Sequence, residues 1–157
     1  MENIGLGERI RILQATPLFA GIEDSKLKLL AFAATVRDFA GGERLFVQGG
    51  AAERAYIIVA GEVLLEWRGA DGASMTTMLR AGEIVGDIAL LAGVPSLATI
   101  TARGALRALA LERDVFIALI EEYPQVSLAI IREMGRILCQ TTERLQAASA
   151  ALGTEDG

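Results

Sequence analysis

The chain contains no histidine and a single cysteine, Cys139. Without imidazole there is no Ser-His-Asp triad, no His-ligated zinc or haem, and no side chain whose ordinary pKa sits near neutrality. One thiol cannot close an intrachain disulfide, so the sequence reads as that of a protein from a reducing compartment. Positive charge is also scarce. Against 20 Asp and Glu stand 15 Lys and Arg, a formal charge of -5, which argues against nucleic acid held on a net basic surface. Long apolar runs are missing too. The start, Met1-Glu2-Asn3-Ile4-Gly5, lacks the basic-then-apolar order of a signal peptide. The longest uncharged stretch, Ile88 to Ala102, is too short to span a bilayer and contains Gly93 and Pro95. A soluble cytoplasmic protein with no membrane partner is expected.

What remains is a globular composition. With 157 residues, 52% hydrophobic and 22% charged, the chain suits one domain with one sizeable core. Ile10 and Leu13 before Thr16-Pro17 predict a short helix that stops ahead of the proline. Leu27, Leu30 and Ala31 predict a second helix over about Asp24 to Ala34. From Thr35 the texture changes to short β-prone runs broken by glycines: Arg44 to Gln48, Ala55 to Ala60, Glu62 to Trp67, Ser74 to Leu79, Ala98 to Ala102 and Leu106 to Leu111. Such punctuation indicates a β-sandwich or barrel. Asp71-Gly72 is the natural hairpin turn.

Helix returns at Glu112, with Phe116, Leu119 and Ile120 on one side, and stops before Pro124. A long last helix is expected from about Gln125 to Ala150. Its stripe Val126, Ile130, Met134, Ile137, Leu138, Thr141, Leu145 and Ala148 steps by three and four, either as a dimer seam or as a face packed on the chain's own barrel. The organisation is therefore one α+β domain over 1–151. Helices occupy 1–34, the barrel 35–111 and C-terminal helices 112–151, followed by a frayed acidic tail over 152–157.

One segment carries chemistry, the run 82–102. A strand ends at Gly82, and Gly86 permits a tight turn. Asp87 to Ala92 can form one or two helical turns, and Gly93-Val94-Pro95 ends them before the strand Ala98 to Ala102. Amides exposed at such a helix start beside a glycine suit an anion. A short capping helix that begins with Asp for dipole reasons alone has the same appearance.

At these residues the chain resembles the cyclic nucleotide-binding domain family. The family's phosphate-binding cassette runs approximately Phe-Gly-Glu-Leu/Ile-Ala-Leu-Leu, a loop, then Pro-Arg-Ala-Ala-Thr-Val. Here stand Val85-Gly86-Asp87-Ile88-Ala89-Leu90-Leu91 and Pro95-Ser96-Leu97-Ala98-Thr99-Ile100. Pro17-Leu18-Phe19 with Gly21-Ile22, Gly42-Glu43-Arg44-Leu45-Phe46, Gly50, Tyr56-Ile57-Ile58 and Gly61-Glu62-Val63 fall at further family landmarks, so the likeness extends from about Ile12 to Leu145. It implies an antiparallel jelly-roll barrel, with a ligand site at Gly86, Asp87, Ile88, Ala89, Ser96, Leu97 and Ala98. The implied ligand is cyclic AMP or cyclic GMP.

Two departures touch the site. Asp87 stands where the family glutamate accepts the ribose hydroxyl, and Ser96 stands where its arginine pairs with the phosphate. Loss of a charge-assisted bond costs about 1.5–3 kcal/mol. Helix amides, or Arg80, Arg103 or Arg107 from a neighbouring strand, are the remaining phosphate partners. Leu97 makes that corner more apolar. Ungapped alignment with the cyclic-AMP receptor branch sets Thr141 and Thr142 on its base-contacting pair, on the same helix as the dimer seam.

No catalytic residue, metal ligand or cofactor is expected, and the chain is expected not to be an enzyme. Cys139 reads as a small packed side chain. No winged helix-turn-helix follows the last helix, so direct DNA contact is not expected and an unknown downstream protein partner is. The leading reading is a sensor that signals through its C-terminal helix as a homodimer. The alternative is a domain of the same fold that has lost its nucleotide and serves as a dimerisation or docking module.

Overall fold

The computed structural model describes residues 3–136, together with Cys139 and Glu143. Two helices lead into the sheet. Helix α1 (Leu6–Ala15) ends at Thr16, whose hydroxyl donates 2.8 Å back to the Ile12 carbonyl and whose amide bonds Leu13. A single 3-10 turn over Pro17–Phe19 follows. Helix α2 (Asp24–Ala33) buries Leu27, Leu30 and Ala31. Arg9 fastens α1 to the end of α2, its Nη1 donating 2.7 Å to the Ala34 carbonyl. A cation suits that position, because the last carbonyls of a helix are otherwise unpaired and carry the negative end of the dipole.

Six strands follow, all antiparallel: β1 (Thr35–Phe39), β2 (Arg44–Phe46), β3 (Arg54–Arg68), β4 (Ser74–Arg80), β5 (Ile84–Val85) and β6 (Thr99–Glu112). The order is β1-β6-β3-β4, with β2 also on β6 and β5 also on β3. Helix α3 (Asp87–Ala92) interrupts the path from β5 to β6, and α4 (Arg113–Glu122) follows the sheet. Pro124 opens a last helix, α5, over 124–136, where proline's missing amide costs nothing.

Alternation along β3 and β6 creates two cores. Ala55, Ile57, Leu109 and Leu111 face the helices and join Leu13, Phe19, Leu30, Leu90, Phe116, Val126 and Ile130. Tyr56, Ile58, Ala108 and Ala110 face the other way, into a cluster with Phe46, Val85 and Ile100, against which Phe39 and Leu79 pack. All six strands send side chains into this second cluster, so the sheet curls around it. The ends of the described path, β1 and β4, do not pair, and the expected barrel is an open roll among the described residues.

Several expectations need correction. The runs 55–60 and 62–67 are one strand, as are 99–102 and 106–111, Ala98 lying just before the strand. Glycine in each marks a bend and not an end. Around Gly61 the β3–β6 register shifts twice, between Ile58 and Ala60 and between Ala60 and Glu62. Strand β1 was not expected, because Thr35-Val36-Arg37-Asp38-Phe39 mixes charge into its pattern. Its Asp38 is matched across the ladder by Arg107, 2.8 Å away. Strand β5 is only two residues long. On α5, Val126 and Ile130 of the expected seam are 0% and 1% exposed within the chain's own core, and Met134 packs against it. For these residues the intrachain reading holds. The rest of the stripe, the helix's course to Ala150 and the tail 152–157 lie outside the described residues. Cys139 is exposed, not packed.

Gly61 sets the bend. Its φ is +97°, and a Cβ there would stand 2.5 Å from the Ala105 carbonyl oxygen. Gly72, in the hairpin turn, has φ +87° but open space around it. Gly61→Ala is therefore expected to cost about 2–4 kcal/mol in urea unfolding, against about 1–2 kcal/mol for Gly72→Ala, which meets backbone strain alone.

Candidate ligand-binding cassette

The expected site begins where β5 stops. Gly86 takes φ +86°, and its Cα is hemmed in on two sides: a Cβ would lie 2.6 Å from the Phe46 ring and 2.9 Å from the Arg54 carbonyl. Only glycine satisfies both the left-handed backbone and the contact. Phe46 is held in turn by an edge-on packing with Tyr56, ring centroids 5.6 Å apart. The turn therefore rests on the inner cluster of the roll. Helix α3 leaves it with Ala89 and Leu90 buried and ends at Gly93, φ +68°.

Asp87 is the first residue of α3 and half-buried. Burial pushes its carboxyl up to about 6, against stabilisation by the backbone amides of Asp87 and Ile88, and the Glu133 carboxylate on α5 pushes it further the same way. Ile88 is half-buried toward the helical core, where Met134 of α5 also packs.

The other half of the cassette is fixed by its main chain. The Gly49 amide donates 2.8 Å to the Ser96 carbonyl, the Ser96 amide 2.9 Å to the Gly50 carbonyl, and the Gln48 amide 3.0 Å to Thr99 Oγ1. Gln48 extends the staple, exchanging bonds of 2.7 and 2.9 Å with the carbonyl and amide of Arg68. The Ser96 side chain is 7% exposed, and its hydroxyl donates 2.8 Å to the Ala98 carbonyl. The hydroxyl's one proton is thus directed to the main chain. Ala98 is buried and Leu97 is 51% exposed.

No cation compensates within the cassette, since 82–102 contains neither lysine nor arginine. Arg107 grips Asp38, Arg80 lies 3.6 Å from Glu62, and Arg103 meets Met78 Sδ at 3.6 Å. Arg54, at the start of β3, has its Nε 3.2 Å from Glu112. Among the described residues, no three His, Cys, Asp or Glu gather as a metal site, and no helix is long and apolar enough to cross a membrane. The structure thus brings Gly86, Asp87, Ile88 and Ala89 into one turn, and stitches Ser96 to Gly49 and Gly50, with Leu97 and Ala98 between this staple and the Gln48–Thr99 bond. Thr141 and Thr142 lie outside the described residues. Sequence reasoning missed Phe46 and Arg54 as the supports of Gly86, and Glu133 as a neighbour of Asp87. The pair Gly49-Gly50 was a legible signal for the staple.

Residues 36–123 match the family described as Cyclic nucleotide-binding domain. The chain belongs to this family. Among curated relatives, the CRP-like cAMP-activated global transcriptional regulator of Mycobacterium tuberculosis is 27% identical over 135 residues, 85% of this chain and 60% of that protein. The chain therefore spans about three fifths of that regulator's length. A cyclic nucleotide-binding-like protein from Brucella abortus is 33% identical, covering 73% of this chain and 98% of the other, with a TM-score of 0.61. The catabolite activator protein of Thermus thermophilus is 28% identical over 85% of this chain and 63% of that one, TM-score 0.72. The regulatory domain of Toxoplasma gondii PKA, solved with cAMP, shares the fold at TM-score 0.76, over 83% of this chain and 50% of that one, with 20% identity.

Asp87 yields a prediction on stability. Its folded pKa lies above the ordinary 3.8, so the native state holds the proton more tightly than the unfolded chain. The cost of ionising it in place grows as pH rises from about 4 and is complete above about 6, reaching up to about 3 kcal/mol. Asp87→Asn is expected to leave stability little changed at pH 4 and to raise it at pH 7–8, in denaturant titrations across that range.

Proposed function

We propose that the chain is a regulatory sensor domain of the cyclic nucleotide type, which takes cyclic AMP or cyclic GMP beside the cassette and reports through its C-terminal helices. The observation that carries this reading is the cassette backbone. Gly86 is locked in the conformation that opens α3, and α3 shares the helical core with Val126, Ile130 and Met134 of the following helix. The family and its cAMP-linked relatives support the ligand class, and relatives described as regulators support a role without catalysis. On this reading Asp87 accepts the ribose hydroxyl, the amides nearest Gly86 and Ala89 meet the phosphate, and Thr141 and Thr142 reach the base. The protein works in the cytoplasm and acts on a downstream protein.

A second reading has its own observation. The Ser96 hydroxyl, the polar side chain at the position of the family arginine, is buried and donates to the Ala98 carbonyl. That arrangement suits a domain retained for docking alone.

Isothermal titration with cyclic AMP and cyclic GMP separates the two readings, with fluorescence of Trp67, the chain's only tryptophan, as a second signal. The sensor reading predicts saturable binding, weakened about 10- to 150-fold relative to a cassette with its arginine. No heat and no fluorescence change at millimolar ligand would leave the docking module. Ser96→Arg is expected to tighten binding at least about tenfold. Unchanged affinity in that variant would mean that position 96 does not face the phosphate.

A further inference from the structure

Strand β3 outruns one of its two neighbours. Its ladder with β6 ends at the Glu66–Thr99 pair, whereas its ladder with β4 continues to Arg68 and Ser74. The residues just before Thr99 have left the sheet for the Ser96 staple. Gly69 gives its amide to the Ala73 carbonyl across the hairpin at 2.7 Å. Successive residues of a strand turn their backbone groups to opposite sides, so Arg68 turns its own toward the place that β6 has vacated.

Gln48 fills that place. A side-chain amide carries a donor and an acceptor in one plane, as a peptide group does. Its Oε1 accepts from the Arg68 amide at 2.9 Å, and its Nε2 donates to the Arg68 carbonyl at 2.7 Å. One half-buried side chain thus stands in for the missing ladder partner.

The main chain of Gln48 is equally fixed. Val47-Gln48-Gly49-Gly50 is a turn closed by the Gly50 amide on the Val47 carbonyl at 2.8 Å, with Gly49 at φ +82°. Positive φ at the third residue alone is the type II form, which puts Gln48 second. The Gln48 amide goes to Thr99 Oγ1, while Gly49 and Gly50 hold the main chain of Ser96. Three segments therefore meet at Gln48: the turn 47–50, the cassette's return limb 96–99 and the tip of β3. A turn tied only to the limb it supports moves with that limb. The bonds to Arg68 refer both to the sheet.

We propose that Gln48 is a positioning residue for the cassette: its side-chain bonds to Arg68 hold the turn 47–50 to the sheet, the turn holds residue 96, and ligand affinity therefore depends on a side chain outside the cassette. The effect on a ligand rests on the sensor reading, whereas the hold on residue 96 does not. Coupling of this kind is reciprocal, so a bound ligand tightens the Gln48–Arg68 bonds in return.

Hydrogen exchange on the full chain, resolved at single amides by NMR with and without cyclic AMP, tests the proposal alongside isothermal titration. In the ligand-free protein, Gln48→Ala is expected to lower protection of the Arg68 and Ser96 amides at least about fivefold, while Ile57 and Leu109 keep theirs. The same variant is expected to bind cyclic AMP at least about fivefold more weakly. Saturating cyclic AMP is expected to raise Arg68 protection in the wild type and not in Gln48→Ala. Gln48→Glu loses the donor at pH 7 and regains it when protonated below about pH 4. Its Arg68 and Ser96 protection is expected to fall at pH 7 and to return in acid to within about twofold of wild type at the same pH. The proposal is overturned if Ser96 keeps its protection in Gln48→Ala, if wild type and variant bind cyclic AMP equally, or if Gln48→Glu shows no recovery in acid. A wild type that binds neither cyclic nucleotide defeats the sensor reading and the ligand step with it, and the ligand-free exchange then decides the hold on residue 96.

Discussion

The pairing of β3 with β6 is the constraint on which the rest of this structure depends. Every other strand hydrogen-bonds to one of these two, with β1 and β2 on β6, and β4 and β5 on β3. The two strands also divide the apolar residues between a helical core and an inner cluster. Because a shift of one residue would exchange the two faces, the register is strongly specified. The double irregularity at Gly61 allows one pair of strands to serve both ends of the roll. A straight ladder of this length would extend away from the inner cluster instead of curling around it.

The cassette inherits its position from that arrangement. Gly86 is pressed against Phe46 and the Arg54 carbonyl, the first an inner-cluster residue and the second the opening residue of β3. Backbone shape and chemical equipment are therefore set by different residues. The shape comes from glycines and a phenylalanine ring, none of which bears charge. The equipment is two polar side chains, Asp87, half-buried with its carboxyl pushed up by burial, and Ser96, which donates to the Ala98 carbonyl. The fold is accordingly well determined where the ligand chemistry is sparse.

The helices were legible in the sequence because their boundaries are marked locally, by Thr16-Pro17, by Asp24 and by the Gly86 and Gly93 that bracket α3. The strands were legible as β but not as wholes. A glycine that bends a paired strand and one that ends it have the same appearance in sequence, and only the ladder distinguishes them. Strand β1 was missed because its Asp38 finds its partner 69 residues away, beyond any local pattern. The stripe on α5 left two readings open for a related reason: step-of-three-and-four spacing shows that one face is apolar but not what covers it, and Val126 and Ile130 are covered by their own chain. At the site, the glycine turn and Asp87 were recognisable, whereas the direction of the Ser96 hydroxyl depends on three-dimensional placement.

The staple at residue 96 has a consequence for what that position tolerates. Its long-range contacts, to Gly49 and Gly50, are made by its own amide and carbonyl, groups that every amino acid except proline supplies. The side chain adds only a local bond to Ala98. Any residue but proline at 96 therefore leaves both long-range bonds available, and the course of the loop does not depend on the side chain that the position carries.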